Sequence, residues 1–350
     1  MSGLHGFLLC GGGTGGHVLP GLAVAQALRD QGITDLRWIG DPERIEAKLV
    51  PGAGIPLLDL GLTRPRKSSP LWWWSLLVAG WRIHREFRVR PPRAVIALGG
   101  YAAFLPGVVA WLHRRPLVVM EQNAKAGKTN RLLARFAKAV ITQFPAAATL
   151  LPKDKVRMLG NPVRAIPAKP RGDQSELTVL VVGGSLAAKT LNDLLADAAP
   201  DLGKIPHLRI VHLAGDADRE RMAGIYQANG VTAEVHGFYS DMPGLYARID
   251  LAVARAGATT VAELCAAGIG ALYIPLPWAA DDHQTANAQA VADARGAEVL
   301  PQAVTTGKIL ACRLAALAAD RAQVAALGVG AHSLARPRAA HDVADLVMAL

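Results

Sequence analysis

The chain has 350 residues, 51% of them hydrophobic, and 38 lysines and arginines stand against 28 aspartates and glutamates for a formal net charge of +10. That length favours two domains over one, and the positive balance favours an anionic partner: nucleic acid, an acidic membrane surface or a phosphate-bearing substrate. No run reaches the roughly 18 apolar residues of a membrane span, and no basic segment precedes the first apolar run as a signal peptide would require, so the expectation is a soluble, cytoplasmic chain.

The first apolar run, Phe7-Leu8-Leu9-Cys10, leads into Gly11-Gly12-Gly13-Thr14-Gly15-Gly16-His17 and then into apolar residues at helical spacing. Strand, glycine loop, helix is the reading. Such a loop brings backbone N–H groups to a phosphate, and the helix N-terminus adds partial positive charge. The spacing is not the dinucleotide fingerprint G-x-G-x-x-G, although Asp41 after the second strand keeps that role open. His17 sits in the first helical turn, where the dipole disfavours imidazolium. A neutral imidazole there suits a general base; it equally suits a helix cap or a phosphate donor.

A strand at 36–40, a short helix at 44–50 and a strand at 56–60 follow. Residues 71–90 then read as one helix, with Trp72, Trp73, Trp74 and Trp81 towards its start and Arg82, Arg85, Arg88 and Arg90 towards its end. Successive residues on a helix point about 100° apart, so three consecutive indoles cannot share one core and at least one is exposed. Exposed tryptophan beside arginine is the composition of a membrane-surface patch; a buried helix with one stray indole and a protein contact are the alternatives.

Strands at 94–98 and 116–120 end in Gly99-Gly100-Tyr101 and Glu121-Gln122-Asn123, with Lys125, Lys128, Asn130 and Arg131 beyond. In an open parallel sheet the carboxyl ends of strands line the ligand crevice, which groups these turns with the first glycine loop. Strands at 139–142 and 156–159 close the first sheet, and 164–176, rich in proline and charge, reads as a linker. The second half repeats the pattern. A strand at 177–182 precedes Gly183-Gly184-Ser185, and further strands lie at 209–213, 231–235 and 251–254. Asp216-Ala217-Asp218 has the shape of a metal-binding pair but reads as a helix cap. In Arg255-Ala256-Gly257-Ala258-Thr259-Thr260-Val261-Ala262-Glu263 a strand ends and a helix starts near Thr259. Hydroxyls and N–H groups there suit a pyrophosphate, while Glu263 suits either a ribose or a capping box. A polar cluster, Asp281-Asp282-His283-Gln284, follows the next strand. Cys10, Cys265 and Cys312 have no metal or redox spacing and read as small buried hydrophobes.

Taken in order, these motifs closely resemble the bacterial MurG family along essentially the whole chain. The resemblance implies an α/β fold of GT-B type: two Rossmann-like doubly wound domains facing across a cleft. Residues 1–163 are the acceptor and membrane domain, with a C-terminal helix at 332–350 packing back on it, and 177–331 bind the UDP-sugar. It implies an inverting transfer of N-acetylglucosamine from UDP-N-acetylglucosamine to lipid I, without cofactor or metal. Arg164, Ser185 and the turn Ala258-Thr259-Thr260 then meet the diphosphate, Val261 and Ala262 belong to the same substrate-binding run, Glu263 holds the ribose, and the Tyr239 backbone reads the uracil. Asn123, His283 and Gln284 address the donor sugar, and Thr14, Gly15 and Gly16 line the donor side. Gly99, Gly100, Tyr101 and Asn130 belong to the acceptor side. His17 is the family's usual candidate base, with Glu121 the alternative. The tryptophan–arginine helix implies a peripheral protein on the cytoplasmic side of the inner membrane, with an anionic lipid surface and cell-wall synthesis and division proteins as partners, and no nucleic acid. Two segments depart from the family pattern: Leu186-Ala187 follow Ser185, and Ala102-Ala103-Phe104-Leu105-Pro106 replace small residues after Tyr101.

Overall fold

Strand–turn–helix repeats build both halves of the chain, because each apolar run is too continuous to leave one face wet and must be covered on both sides by helices. The computed structural model describes residues 5–62, 70–164, 166, 176–184, 188–279 and 282–350. The chain divides into two units, Met1–Val163 with Arg336–Leu350, and Arg164–Ala335.

Unit 1 begins with β1 (His5–Cys10), α1 (Gly15–Asp30), β2 (Leu36–Ile39), α2 (Glu46–Gly52) and β3 (Leu57–Leu58). It continues through α3 (Pro70–Val89), β4 (Pro92–Ala97), a 3-10 turn (Tyr101–Ala103), α4 (Phe104–Leu112) and β5 (Leu117–Glu121). Next come α5 (Lys128–Ala134), β6 (Ala139–Thr142), α6 (Pro145–Ala148) and β7 (Val156–Arg157). The seven strands form a parallel sheet in the order β3-β2-β1-β4-β5-β6-β7. Alternate residues of β1 serve opposite faces: Leu8 and Cys10 join Ile83 and Phe87 of α3, whereas Phe7 and Leu9 join Val24 and Leu28 of α1.

The packing of α3 separates its two stripes. Ala79, Ile83 and Phe87, four residues apart, are buried, while Trp74, Leu77 and Trp81 on the opposite side are exposed. Near its carboxyl end, Glu86 accepts from the buried Arg37 of β2 at 2.5 Å, and Arg37 also donates to the Arg90 carbonyl at 3.0 Å. That tie fixes the helix while leaving its indole stripe outward. The side chains of Trp72 and Trp73 lie outside the described residues.

Unit 2 runs β8 (Leu177–Val182), α7 (Ala188–Leu202), β9 (Leu208–Leu213), α8 (Arg219–Ala228), β10 (Thr232–His236), α9 (Met242–Tyr246) and β11 (Leu251–Ala254). It ends with α10 (Ala258–Ala267), β12 (Gly270–Tyr273), α11 (His283–Asp293), β13 (Ala297–Val299), α12 (Gly307–Ala319) and α13 (Arg321–Ser333). Its six parallel strands take the order β10-β9-β8-β11-β12-β13. The helix that returns to unit 1 is α14 (Ala339–Met348), whose Val343, Ala344 and Val347 join the α1 face of the first core. Within the segment 332–350, read from the sequence as a helix after Pro337, His332 and Ser333 close α13 and the helix that follows Pro337 is α14.

His212 of β9 is fully buried, with Nδ1 2.9 Å from the Tyr226 hydroxyl and Nε2 3.0 Å from Asn192 Oδ1. Burial pushes its imidazole down to about 4. The unfolded chain takes up a proton near 6.5 and the folded chain does not, so this group's contribution is complete above pH 6.5 and is lost as pH falls towards 4. Across that window the loss is roughly 3 kcal/mol. Melting temperature is expected to fall more steeply with acid in the wild type than in His212→Gln; equal slopes would remove His212 as the cause.

Candidate active site

In each sheet the strand order reverses direction once, between β1 and β4 and between β8 and β11, and a ligand crevice opens at such a reversal. In unit 1 this brings the loop after β1 against the turn after β4. Gly99 and Gly100 adopt φ of 98° and 73°, and a Cβ on Gly99 would stand 3.1 Å from His17 Nε2. A Cβ on Gly100 would stand 2.8 Å from the Gly12 carbonyl, so both the backbone angle and the close approach require glycine here. His17 Nδ1 lies 3.2 Å from the Gly12 carbonyl and 3.3 Å from the hydroxyl of the exposed Thr14. A carbonyl only accepts, so Nδ1 carries the hydrogen and the neutral ring places its lone pair on Nε2, the atom facing Gly99.

Trp38 and Glu46, which have no role in the sequence reading, hold this loop together with Asp41. Trp38 Nε1 donates to the Gly11 carbonyl at 2.9 Å. Glu46, fully buried at the start of α2, accepts from Gly13 N at 2.9 and 3.1 Å and from Asp41 N at 3.2 Å. Asp41 in turn accepts a short hydrogen bond from the Tyr101 hydroxyl, and burial followed by this carboxylate raises the phenol well above its ordinary range. The Gly13 N–H is therefore occupied by a carboxylate, which fixes the loop that presents His17. The only hint in the sequence was the acidic residue opening a short helix.

Glu121 is buried and its carboxylate is engaged on both oxygens. Oε1 accepts from Asn123 N at 3.0 Å and Asn123 Nδ2 at 3.3 Å; Oε2 accepts from Gly127 N at 2.9 Å and Asn130 Nδ2 at 2.8 Å. This is the geometry of a loop clamp: in this arrangement the carboxylate orders the turn from 121 to 130. Asn130, expected on the acceptor side, is buried, donates also to the Met120 carbonyl at 3.0 Å, and lies behind the Gly99 turn. Ala102 and Ala103 are core residues of unit 1, which accounts for small side chains there by packing.

In unit 2 the segment after β11 enters α10 through Gly257, whose position has no side-chain cap. The first-turn N–H groups of such a helix lack intrahelical acceptors. Thr259 Oγ1 beside them is buried and has no hydrogen-bond partner among the described residues. Glu263, one turn further, is buried; Oε2 accepts from Tyr246 at 2.8 Å and Oε1 lies 3.9 Å from Arg164 Nη2. Burial raises its carboxyl above the usual range, opposed by the Tyr246 bond and the Arg164 charge. Arg164 and Glu263, 99 positions apart by numbering, are thus brought together.

Arg255 is buried and donates to the Ile274 carbonyl at 2.7 Å and to Thr190 Oγ1 at 2.6 Å, with burial lowering its guanidinium to about 10. It remains charged at neutral pH and lends positive potential to the same strand ends. Asn287 Nδ2 holds the Ala256 carbonyl at 3.0 Å, and Gln284 Oε1 accepts from Leu276 N at 3.0 Å. Tyr239 stacks edge-on against His236 at 5.0 Å in the turn after β10. Gly237 in that turn leaves no room for a Cβ, which would lie 1.9 Å from Asp216 Oδ1.

Ser185, Leu186, Ala187 and Asp281 lie outside the described residues, as does most of the linker. Asp218 occupies the N-cap position of α8, yet its carboxylate accepts from Arg221 at 2.8 Å and Asn192 at 2.8 Å and makes no cap hydrogen bond; those bonds hold it well below the usual carboxylate range. Among the described residues no three His, Cys, Asp or Glu side chains converge as a metal site. Cys10 and Cys265 are buried, but Cys312 is exposed.

Two parallel doubly wound units, with a histidine presented at one strand reversal and a helix N-terminus that has no side-chain cap beside an arginine–glutamate pair at the other, define a GT-B-type glycosyltransferase. Residues 7–142 match the glycosyltransferase family 28 N-terminal domain, and residues 178–342 match the family 28 C-terminal domain. The chain is 43% identical to a UDP-N-acetylglucosamine–N-acetylmuramyl-(pentapeptide) pyrophosphoryl-undecaprenol N-acetylglucosamine transferase of Aeromonas hydrophila, covering 97% of this chain and 95% of that protein. The protein of the same name from Alkalilimnicola ehrlichii is 42% identical, over 97% of this chain and 98% of the relative. The crystal structure of Acinetobacter baumannii MurG superposes with a TM-score of 0.83 at 34% identity, covering 99% of this chain and all of that one. The chain belongs to the MurG family.

Proposed function

We propose that this protein transfers N-acetylglucosamine from UDP-N-acetylglucosamine to the C4 hydroxyl of the muramoyl sugar of lipid I, giving lipid II and UDP in peptidoglycan synthesis. The relatives' names supply the substrates. The observation that carries the donor side is the uncapped N-terminus of α10, with the orphaned Thr259 hydroxyl and Arg164 beside it. Backbone N–H groups, hydroxyls and a guanidinium are suited to a diphosphate, whose charge grows as the bond to the sugar breaks. Glu263 takes the ribose hydroxyls, the Tyr239 backbone the uracil, and Gln284, His283 and Asn123 the sugar.

On the acceptor side His17 Nε2 takes the proton of the attacking hydroxyl. The new bond forms at the anomeric carbon from the face opposite the leaving UDP, so the configuration inverts. The test is UDP release from UDP-N-acetylglucosamine with a lipid I analogue, with diacylglycerol, and with no acceptor. Release only with the lipid I analogue supports the reading. Release with diacylglycerol instead moves the acceptor to another lipid, and tight donor binding without release under any condition sinks the transferase.

We further infer that the protein works as a peripheral protein on the cytoplasmic face of an anionic membrane, where a polyprenyl acceptor resides, and that its product ties it to cell shape, division and the cell cycle through cell-wall synthesis partners. The support is the exposed stripe Trp74, Leu77 and Trp81 on α3, with Arg82 and Arg85 alongside and Arg85 packed over the Trp81 ring at 5.9 Å. Exposed Trp111, Leu112 and Phe136 extend the apolar area, with the Trp111 and Phe136 rings 4.7 Å apart. Trp74→Ala combined with Trp81→Ala is expected to weaken sedimentation with phosphatidylglycerol vesicles by about tenfold or more. Turnover of a short-chain, water-soluble acceptor is expected to stay unchanged. Undiminished vesicle binding would remove this stripe as the anchor.

A further inference from the structure

The segment between β10 and β11 carries Tyr239, and β10 is an edge strand of its sheet. A turn at a sheet edge has a neighbouring strand on one side only, so its position depends on what ties it back. Two local contacts shape this one. Gly237 packs against Asp216, and Asp241 caps α9 by accepting from Gly244 N at 3.0 Å. The longer tie is Arg248, in the turn that leads from α9 into β11. Its Nη1 and Nη2 donate to Glu234 Oε1 and Oε2 at 3.0 and 2.7 Å, a fork that closes 14 positions of chain.

Glu234, in β10, is the centre of a cluster. His236, two residues on and on the same face of the strand, brings Nε2 to 3.7 Å from Oε2, and Arg209 Nη1 of β9 lies 3.9 Å from Oε1. The Arg248 fork, with His236 behind it, holds the Glu234 carboxyl below its usual range. Tyr239 meets two members of this cluster: its ring stands edge-on to His236 at 5.0 Å, and its hydroxyl faces the Arg248 guanidinium. Ring and hydroxyl are both held, and with them the backbone N–H and carbonyl of Tyr239.

We propose that Arg248, through its fork to Glu234, is a positioning residue for recognition of the nucleotide base: it holds the Tyr239 turn so that the backbone accepts uracil and rejects cytosine. The inference rests on the donor-site reading given above. Uracil presents a ring N–H beside a carbonyl, whereas cytosine presents a bare ring nitrogen beside an amine. A backbone carbonyl and N–H fixed in place match the first and oppose the second. Freed to shift, they lose that distinction, while the ribose and diphosphate contacts remain.

Competition binding of UDP and CDP to the full-length protein tests this in Arg248→Lys, Arg248→Ala and Tyr239→Phe. Lysine keeps the charge and cannot form the fork. Both Arg248 variants are expected to weaken UDP about fivefold and to leave CDP within about twofold, with the melting temperature moved by no more than about 2 °C. KM for UDP-N-acetylglucosamine is expected to rise by about the same factor as UDP weakens, with turnover at saturating donor unchanged. Arg248→Ala combined with Tyr239→Phe is expected to bind UDP no more weakly than Arg248→Ala alone, since both act through one contact. An unchanged preference for UDP over CDP in the Arg248 variants would overturn the proposal, as would equal weakening of the two nucleotides. A wild-type protein that does not distinguish UDP from CDP would sink the donor reading, and this inference with it.

Discussion

Replacement of His17 by alanine is expected to lower acceptor-dependent UDP release by about a thousandfold while UDP-N-acetylglucosamine still binds, because a positioned base contributes about 10²–10⁴ to such a step. The prediction rests on the tautomer. Nδ1 faces the Gly12 carbonyl and must donate to it, which commits the lone pair to Nε2 on the side of the Gly99 turn. The loss is expected to fall on turnover and not on donor affinity, since the proposed diphosphate, ribose and uracil contacts belong to Arg164–Ala335 and His17 to the other unit. Glu121→Gln provides the contrast. With both carboxylate oxygens held by backbone and amide N–H groups, Glu121 acts as a positioning residue, and its substitution should lower the melting temperature as well as the rate. Should His17→Ala be fully active and Glu121→Gln inactive with an unchanged melt, the two roles would be exchanged.

The second large effect is expected at Glu46. Truncation to alanine leaves the Gly13 and Asp41 N–H groups buried without their acceptor, at a cost of about 3 kcal/mol in total. The consequence for activity follows from geometry: Gly13 is held by Glu46, and the neighbouring Gly12 carbonyl orients His17. Glu46→Ala is therefore expected to reduce turnover by about tenfold to a hundredfold in addition to its effect on stability, since small displacements of a catalytic group cost rates of this order. Glu46→Gln, which retains one acceptor oxygen, should lie between. Thermal melts together with donor affinity and turnover separate the outcomes, and a stable Glu46→Ala protein of normal turnover would show that the loop needs no such anchor.

The elements of both sheets were legible because strands buried on both faces leave continuous apolar runs, as at Phe7-Leu8-Leu9-Cys10 and Leu177-Thr178-Val179-Leu180-Val181-Val182. Turn chemistry between strand and helix then located His17, the Gly99 turn and the Thr259 segment. What stayed illegible were partnerships made by the tertiary fold. Glu46, Trp38 and Asp41 look like an ordinary surface acid, a strand aromatic and a strand-end acid until the loop from residues 11–17 lies over them. Glu121 reads as an exposed carboxylate at a strand end, and only the return of Gly127 and Asn130 shows that its oxygens are taken. Asp218 has the position of a cap, yet the proximity of Asn192 and Arg221 draws its carboxylate elsewhere. Cys312 lies among alanines and leucines, but the outward side of α12 exposes it.

The first unit is discontinuous along the chain: residues 336–350 complete it after all of 164–335 has intervened. During synthesis the ribosome therefore makes the whole second unit before Val343, Ala344 and Val347 are available to cover the α1 side of the first sheet. Until then that sheet carries an uncovered apolar strip, so the nascent protein is most open to chaperone capture and to proteolysis in the half made first. Damage near residue 343 should accordingly be felt in the unit that carries His17, more than three hundred positions away by numbering.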